Sequence, residues 1–341
     1  DVIDVGTSGT TLNIVMGSCA LLDEGAAVLT GDAQIRRRPS GPLAASLNDL
    51  GASVSSTRDN GCPPFVVEGP WRGGDTDIEA VSSQYLTSLL LNAPLGQSET
   101  RINVTLLHEK PYVEMTLDWL RREGIVWHAN GFAAFTVPGG QRYRAFDRRI
   151  PGDFSSATFF LAAGALPGND VSCAGLDMND TQGDKAVVEY LRQMGAGIEI
   201  GSETIRVRGN ALKGCDLDLN ATPDALPMMA VMGCLAEGTT RLLNVPQARI
   251  KETDRIAVMR RELEKMGANI EELPDGLIVH GGELQGANVH GHGDHRIIMA
   301  LAIAASRATG TTRIHGADAV AVTFPVFDAS LARIGGIIEK D

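Results

Sequence analysis

Aromatic residues are scarce in this chain, at 5% of 341 residues, while glycine is frequent at 39. That balance points to many tight turns and small-residue packing. The five cysteines, Cys19, Cys62, Cys173, Cys215 and Cys234, are odd in number, and none forms a C-x-x-C pair. This excludes a disulfide framework and a structural zinc site, and fits reduced thiols in a cytoplasmic protein. Long hydrophobic runs are also missing. The longest, Ile297 to Ala305, is nine residues, against the roughly 20 that a membrane-spanning helix needs. Excess positive charge is absent too. With 30 basic and 42 acidic residues the net charge is −12, which excludes a whole-surface nucleic-acid binder but not a local cationic pocket. The chain opens Asp-Val-Ile-Asp, with no Met and no charged-then-apolar leader. It is expected to lack a signal peptide and to start inside a folded domain.

What the chain does have is a repeat. The length alone suggests about two domains. A glycine closes an amphipathic segment at Gly51, Gly124, Gly195, Gly267 and Gly335, at intervals of 73, 71, 72 and 68 residues. A leucine stands four residues before each: Leu47, Leu120, Leu191, Leu263 and Leu331. The spacing predicts five helices with an apolar stripe, each stopped by a left-handed glycine. Upstream in each unit a polar or small cluster opens another apolar helix, at Ser8-Gly9-Thr10, Ser82-Ser83-Gln84, Ser155-Ser156, Asp224-Ala225 and Asp294-His295-Arg296. The second helices are expected to open at Arg38-Pro39, Pro111-Tyr112, Gln182-Gly183, Asp254-Arg255 and Thr323-Phe324. Each unit of about 70 residues therefore reads strand, helix, strand, helix, strand or strands, a small α/β module rather than a solenoid repeat. Polar residues gather at helix starts, where free N–H groups and partial positive charge favour anions.

Four stretches carry chemistry. Arg249-Ile-Lys251-Glu252-Thr253-Asp254-Arg255 packs three cations and two carboxylates into seven residues at a helix start; alone, such a run reads equally as a solvated helix tip. Asp294-His295-Arg296 directly precedes the longest apolar run. Arg36-Arg37-Arg38-Pro39 is a basic turn leading into a Pro-started helix, or a surface basic loop. Asp224 precedes an apolar helix and by itself reads as an N-cap. His290, His292 and His295 form the only histidine cluster. They read as ordinary histidines in a Gly-rich loop, since no carboxylate or thiolate cluster completes a metal site.

Taken together, these motifs and the stretches Leu-Thr-Gly…Arg-Pro-x-Gly (29–41), Ser-Ser-Gln-Tyr-Leu-Thr (82–87) and Lys-Pro-Tyr-Val-Glu-Met-Thr-Leu (110–117) resemble the EPSP synthase family over essentially the whole chain. The resemblance implies an α/β fold: a two-domain inverse α/β barrel of repeated βαβαββ units, five of six present. Residues 1–149 would form an incomplete first domain of two units and 150–341 a second of three, with a crossover near Asp147–Gly152. The implied reaction transfers the enolpyruvyl group of phosphoenolpyruvate to the 5-hydroxyl of shikimate 3-phosphate. By the same resemblance Gly9, Arg38, Arg255 and Arg296 bind phosphoenolpyruvate. Ser82, Ser83, Gln84, Tyr112, Asp224 and Lys251 bind shikimate 3-phosphate. Asp224 is the base, Glu252 the acid that protonates the methylene carbon, and Lys251 the neighbouring cation. Gly9 matches the position that leaves room for the inhibitor glyphosate. The implied protein is a cytoplasmic monomer with two small-molecule substrates, no metal or organic cofactor, no nucleic acid and no membrane.

The chain departs from the family pattern at four places, the first being Thr7, where the family has Asn. Asn13 stands where the family has Arg, Glu109 where it usually has Ser, and Val322 where many members have Lys. The family's opening Lys-Ser…Arg motif has no counterpart. Weak or absent turnover by this chain alone is therefore expected, and a fragment that only binds substrate is the alternative. The sister enzyme acting on UDP-N-acetylglucosamine carries a reactive Cys in the loop that here reads Ala33 to Pro39, which has none. A purely structural repeat protein would not need cations and carboxylates at several helix starts.

Overall fold

The computed structural model describes residues 1–339, which divide into two compact units, Asp1–Arg148 and Arg149 onward. The first unit holds two modules of one design. In the first, β1 (Val2–Asp4), α1 (Gly9–Cys19), β2 (Ala26–Thr30), α2 (Gly41–Asp49), β3 (Ser53–Ser56) and β4 (Phe65–Glu68) give a sheet ordered β1-β2-β4-β3. β1 and β2 are parallel, and the pairs β2–β4 and β3–β4 are antiparallel. The second module repeats this with β5 (Gly74–Ala80), α3 (Ser83–Asn92), β6 (Thr100–Leu107), α4 (Lys110–Arg122), β7 (His128–Asn130) and β8 (Ala134–Val137), ordered β5-β6-β8-β7. Leu12 and Met16 of α1, Leu86 and Leu89 of α3, and Val113 of α4 lie in one buried core. A polar seam crosses it: Ser88 Oγ donates to the Asn13 carbonyl at 2.7 Å, and Ser18 Oγ to Asn92 Oδ1 at 2.9 Å. Buried hydroxyls and amides are tolerated there because each is hydrogen-bonded.

The second unit carries α5 (Phe154–Ala165), β9 (Asp170–Ala174), α6 (Ala186–Gln193), β10 (Gly197–Ile200) and β11 (Thr204–Arg208), then β12 (Asp216–Asp218), α7 (Leu226–Cys234), β13 (Thr239–Leu243), α8 (Arg255–Lys265), β14 (Asn269–Leu273) and β15 (Gly276–His280), and finally β16 (Asn288–His290), α9 (His295–Ala305), β17 (Arg313–His315) and α10 (Phe327–Arg333). The sheets run β10-β11-β9, β12-β13-β15-β14 and β16-β17. Every residue of α7 is buried, consistent with an apolar stretch that shows no polar face. No helix among the described residues is long and apolar enough to cross a membrane.

The expected helix ends are present. At Gly51, with φ +100°, the N–H donates to the Asn48 carbonyl and the following Ala52 N–H to the Leu47 carbonyl, both at 3.1 Å. This is the Schellman closure, and its left-handed residue is one that only glycine adopts without a Cβ penalty. The same two bonds close α4, α6, α8 and α10, so each predicted leucine is the buried acceptor of the longer bond.

Other expectations need correction. The third module has no opening strand among the described residues, and the fifth has no strand pair after α10, so the full strand–helix pattern is complete in three of the five modules. Pro39 does not start α2. As the residue before a proline, Arg38 is held extended at φ −82° and ψ 125°, and the helix begins at Gly41 with Pro42 in its first turn. Likewise Phe324 precedes Pro325, and α10 starts three residues later at Phe327. The cap of α5 is Asp153, whose carboxylate accepts from the N–H groups of Ser155 and Ser156. Such caps are each worth about 1 kcal/mol.

Candidate active site

The sequence-predicted residues gather into one cluster in each unit. In the first unit, α1 and α3 begin with side-chain caps, Ser8 accepting from Thr11 N and Ser82 from Gln84 N. The turn before α2 is tied down by Asp32, whose Oδ1 accepts from Gln34 N at 2.9 Å and Ile35 N at 2.8 Å. Of the three consecutive arginines, Arg36 is committed to this turn, donating to the Gly31 carbonyl at 2.7 Å. Arg37 is exposed. Arg38 lies across the start of α1. A Cβ on Gly9 would come within 2.7 Å of Arg38 Nη1 and 2.8 Å of Cζ, so the absence of a side chain lets the guanidinium settle there.

Gln84 bridges α3 to α1. Its Nε2 donates to Thr10 Oγ1 at 2.9 Å, and its Oε1 accepts from Asn13 Nδ2 at 2.9 Å. Asn13 Oδ1 accepts in turn from Ser40 Oγ at 2.8 Å. Asn13, 5% exposed, thus links α1 to the starts of α2 and α3 rather than presenting a cation. Tyr85 donates to the Pro39 carbonyl at 2.5 Å, and burial pushes its phenol up to about 12. Tyr112 is half-buried in the first turn of α4. Glu109, just before α4, is 2% exposed, and its Oε2 accepts from Ser83 Oγ at 2.7 Å and Ser83 N at 3.3 Å. Its carboxylate therefore points at Ser83.

In the second unit the charged run is no solvated tip. Arg255 is 1% exposed. Its Nη1 donates to Asp224 Oδ1 at 2.6 Å, its Nη2 to Glu252 Oε2 at 2.6 Å, and its Nε to Asp294 Oδ2 at 2.8 Å. A planar guanidinium suits several carboxylates at fixed angles. Burial alone would favour the neutral form of Arg255, but Asp294, Glu252 and Asp224 raise its pKa well above the ordinary value. Asp224 does not act as an N-cap. It sits in the 3₁₀ turn Pro223–Ala225, and its Oδ2 meets Arg296 Nη2 at 2.9 Å. Burial pushes the Asp224 carboxyl up, and Arg296, Arg255 and Lys251 outweigh it, holding the group well below the usual carboxylate range.

The neighbours of this cluster are structural. Arg249 ties the turn before α8 to the β14–β15 hairpin through the Pro274 and Leu273 carbonyls and Glu272. Asp254 caps α8 by accepting from Ala257 N at 3.0 Å. Two residues of the cluster were given no site role from sequence. Asp294, fully buried, caps α9 and grips Arg255, while Ser155 Oγ accepts from Arg296 Nη2 at 3.0 Å. The only signals for them were a carboxylate ahead of the longest apolar run and a Ser pair at a helix start. His295 is buried, and desolvation, with Arg296 beside it, lowers its pKa. His292 Nε2 lies 2.9 Å from Oε1 of buried Glu262, whose Oε2 accepts from Lys265 Nζ at 2.6 Å and His290 N at 2.9 Å. Among the described residues no three His, Cys, Asp or Glu side chains are grouped to hold a metal ion.

The comparisons with known proteins identify the family. A family model described as EPSP synthase (3-phosphoshikimate 1-carboxyvinyltransferase) matches residues 1–331. A 3-phosphoshikimate 1-carboxyvinyltransferase of Acetivibrio thermocellus is 52% identical over 338 residues, covering 99% of this chain and 80% of the relative. One from Ruminiclostridium cellulolyticum is 51% identical with the same coverage. A solved EPSP synthase of Acinetobacter baumannii superposes with a TM-score of 0.80 at 29% identity, over 99% of this chain and 80% of that one. With the family model spanning all but the last ten residues and both relatives above half identity, the chain belongs to the EPSP synthase family.

Proposed function

We propose that this member of the family transfers the enolpyruvyl group of phosphoenolpyruvate to the 5-hydroxyl of shikimate 3-phosphate, releasing phosphate, as a cytoplasmic monomer with no metal or organic cofactor. The supporting observation is the carboxylate of Asp224 held between Arg255 and Arg296, with Glu252 on the same Arg255 guanidinium. Two carboxylates and two arginines within hydrogen-bond reach supply both proton-transfer groups and anion-binding groups.

Asp224 takes the proton of the 5-hydroxyl as that oxygen bonds to C2 of phosphoenolpyruvate. Glu252, entering the reaction in its protonated form, gives that proton to the C3 methylene, making a methyl group and a tetrahedral adduct. Loss of a methyl proton to Glu252 then expels phosphate and restores the enol double bond. Positive character at C2 is offset by the carboxylates, and Lys251 neutralises the excess negative charge. Arg38, seated over Gly9, and Arg255 and Arg296 bind phosphoenolpyruvate through bidentate contacts. Ser82, Ser83, Gln84 and Tyr112 hold the shikimate 3-phosphate. The test is phosphate release by the 341-residue chain with each substrate alone and with both. Release requiring both, however slow, supports the reading; release independent of shikimate 3-phosphate, or no release while shikimate 3-phosphate still binds, overturns it, the latter in favour of a fragment that only binds substrate.

A further inference from the structure

The start of α3 is already occupied by an anion of the chain's own making. Ser83 N and Ser83 Oγ both donate to Glu109 Oε2, at 3.3 and 2.7 Å, with both residues 2% exposed. These are the donors a phosphate would use at a helix N-terminus, where the backbone favours negative charge. Glu109 reaches them from a left-handed backbone at φ +57° and ψ +42°, a conformation that non-glycine residues rarely hold unless the surroundings enforce it. A second charge arriving at Ser83 would meet a buried carboxylate at close range, where screening is weak.

We propose that Glu109 is a specificity-determining residue that competes with the substrate phosphate for Ser83 and so sets how strongly the chain prefers a phosphorylated acceptor over its unphosphorylated counterpart. This rests on the assignment of Ser83 to shikimate 3-phosphate made above. The phosphate must displace the Glu109 carboxylate, and removing that carboxylate frees both donors. The effect is confined to ligands that carry the phosphate. Shikimate itself, which lacks it, does not compete.

The experiment measures binding of shikimate 3-phosphate and of shikimate to the full chain by calorimetry, for the unmodified protein, Glu109→Ser, Glu109→Gln and the double variant Glu109→Ser/Ser83→Ala. The Gln variant keeps the shape and can still accept from Ser83, so it guards against a folding defect in the Ser variant. Expected is about ten-fold tighter shikimate 3-phosphate in Glu109→Ser and a smaller tightening in Glu109→Gln, which removes the charge but still accepts from Ser83, with shikimate changed less than about two-fold, and loss of the gain in the double variant. Unchanged or weaker shikimate 3-phosphate binding in both single variants, or equal tightening of both ligands, overturns the proposal. Failure of the Ser83 assignment looks different: Glu109→Ser tightens shikimate 3-phosphate but adding Ser83→Ala changes nothing.

Discussion

Arg255 Nε donates to Asp294 Oδ2 across 2.8 Å with both side chains shut off from solvent. Asp294 also accepts from Arg296 N, so one carboxylate fixes the side chain of one arginine and the backbone of the next. Breaking a buried pair by removing one partner leaves an uncompensated charge, which costs about 3–5 kcal/mol. Asp294→Ala is expected to lower stability by that order in urea unfolding. Where the variant stays folded, KM for phosphoenolpyruvate should rise while KM for shikimate 3-phosphate changes less.

Asp224→Asn keeps the shape of the group beside Arg255 and Arg296 but removes its charge and basicity. A positioned general base contributes about 10²–10⁴-fold. Steady-state phosphate release should show kcat reduced within that range, whereas a kcat within about two-fold of the unmodified chain would remove Asp224 from proton transfer.

Gly9→Ala would drive a Cβ to within 2.7 Å of Arg38 Nη1. The obstructing atoms are the far end of a flexible side chain, so the guanidinium moves and the helix stays. The expected outcome is a KM for phosphoenolpyruvate raised about ten-fold, with thermal stability within about 0.5 kcal/mol of the parent. Glycine is also a slightly poorer helix former than alanine, so a large loss of stability would contradict the local account.

Acid should loosen the loop that leads into α9. Burial pushes the Glu262 carboxyl up, but Lys265, His292, the His290 N–H and Arg261 together bring it down to about 2. A depressed carboxyl contributes stability that is fully present above its unfolded value near 4.3 and is lost as pH falls through the folded one. Because Arg261, Lys265 and His292 are partly solvated, the contribution is set at about 2 kcal/mol. Glu262→Gln should be less stable by that amount at pH 7, and the gap should close between about pH 5 and pH 2 in equilibrium unfolding.

The parts of this molecule that are legible in the sequence are those governed by local backbone chemistry. Gly51 and its four counterparts end helices because a left-handed residue is needed there, and Leu47 and its counterparts are buried because they sit one turn earlier on the apolar stripe. Pro39 and Pro325 misled the helix starts, although the rule that shifts them by two or three residues is equally local. The charged run at 249–255 could not be divided by spacing. Arg249 and Asp254 are spent on the fold while Arg255 is buried among three carboxylates, a distinction made by Asp224 and Asp294, 31 and 39 residues away. Asp153 was hidden for a simpler reason, because the two serines beside it are equally good caps by type. Glu109 stood out in the sequence only as a departure. Its contact with Ser83 depends on how α3 and α4 begin side by side.

The way the sheets close has a consequence for the order of events in time. The strands of each sheet come from a single stretch, residues 2–68, 74–137, 170–208, 216–280 and 288–315, and among the described residues no sheet borrows a strand from another. Pairing is therefore local along the chain, the arrangement that favours rapid formation. A ribosome extruding the chain from its N-terminus would release each sheet's full set of strands before the next set appears. The late step is then the meeting of helices from successive modules, such as α1 with α3, whose polar seam can form only once both are present. Pulse-labelling hydrogen exchange should find β2 and β4 protected before the Ser88 hydroxyl reaches Asn13.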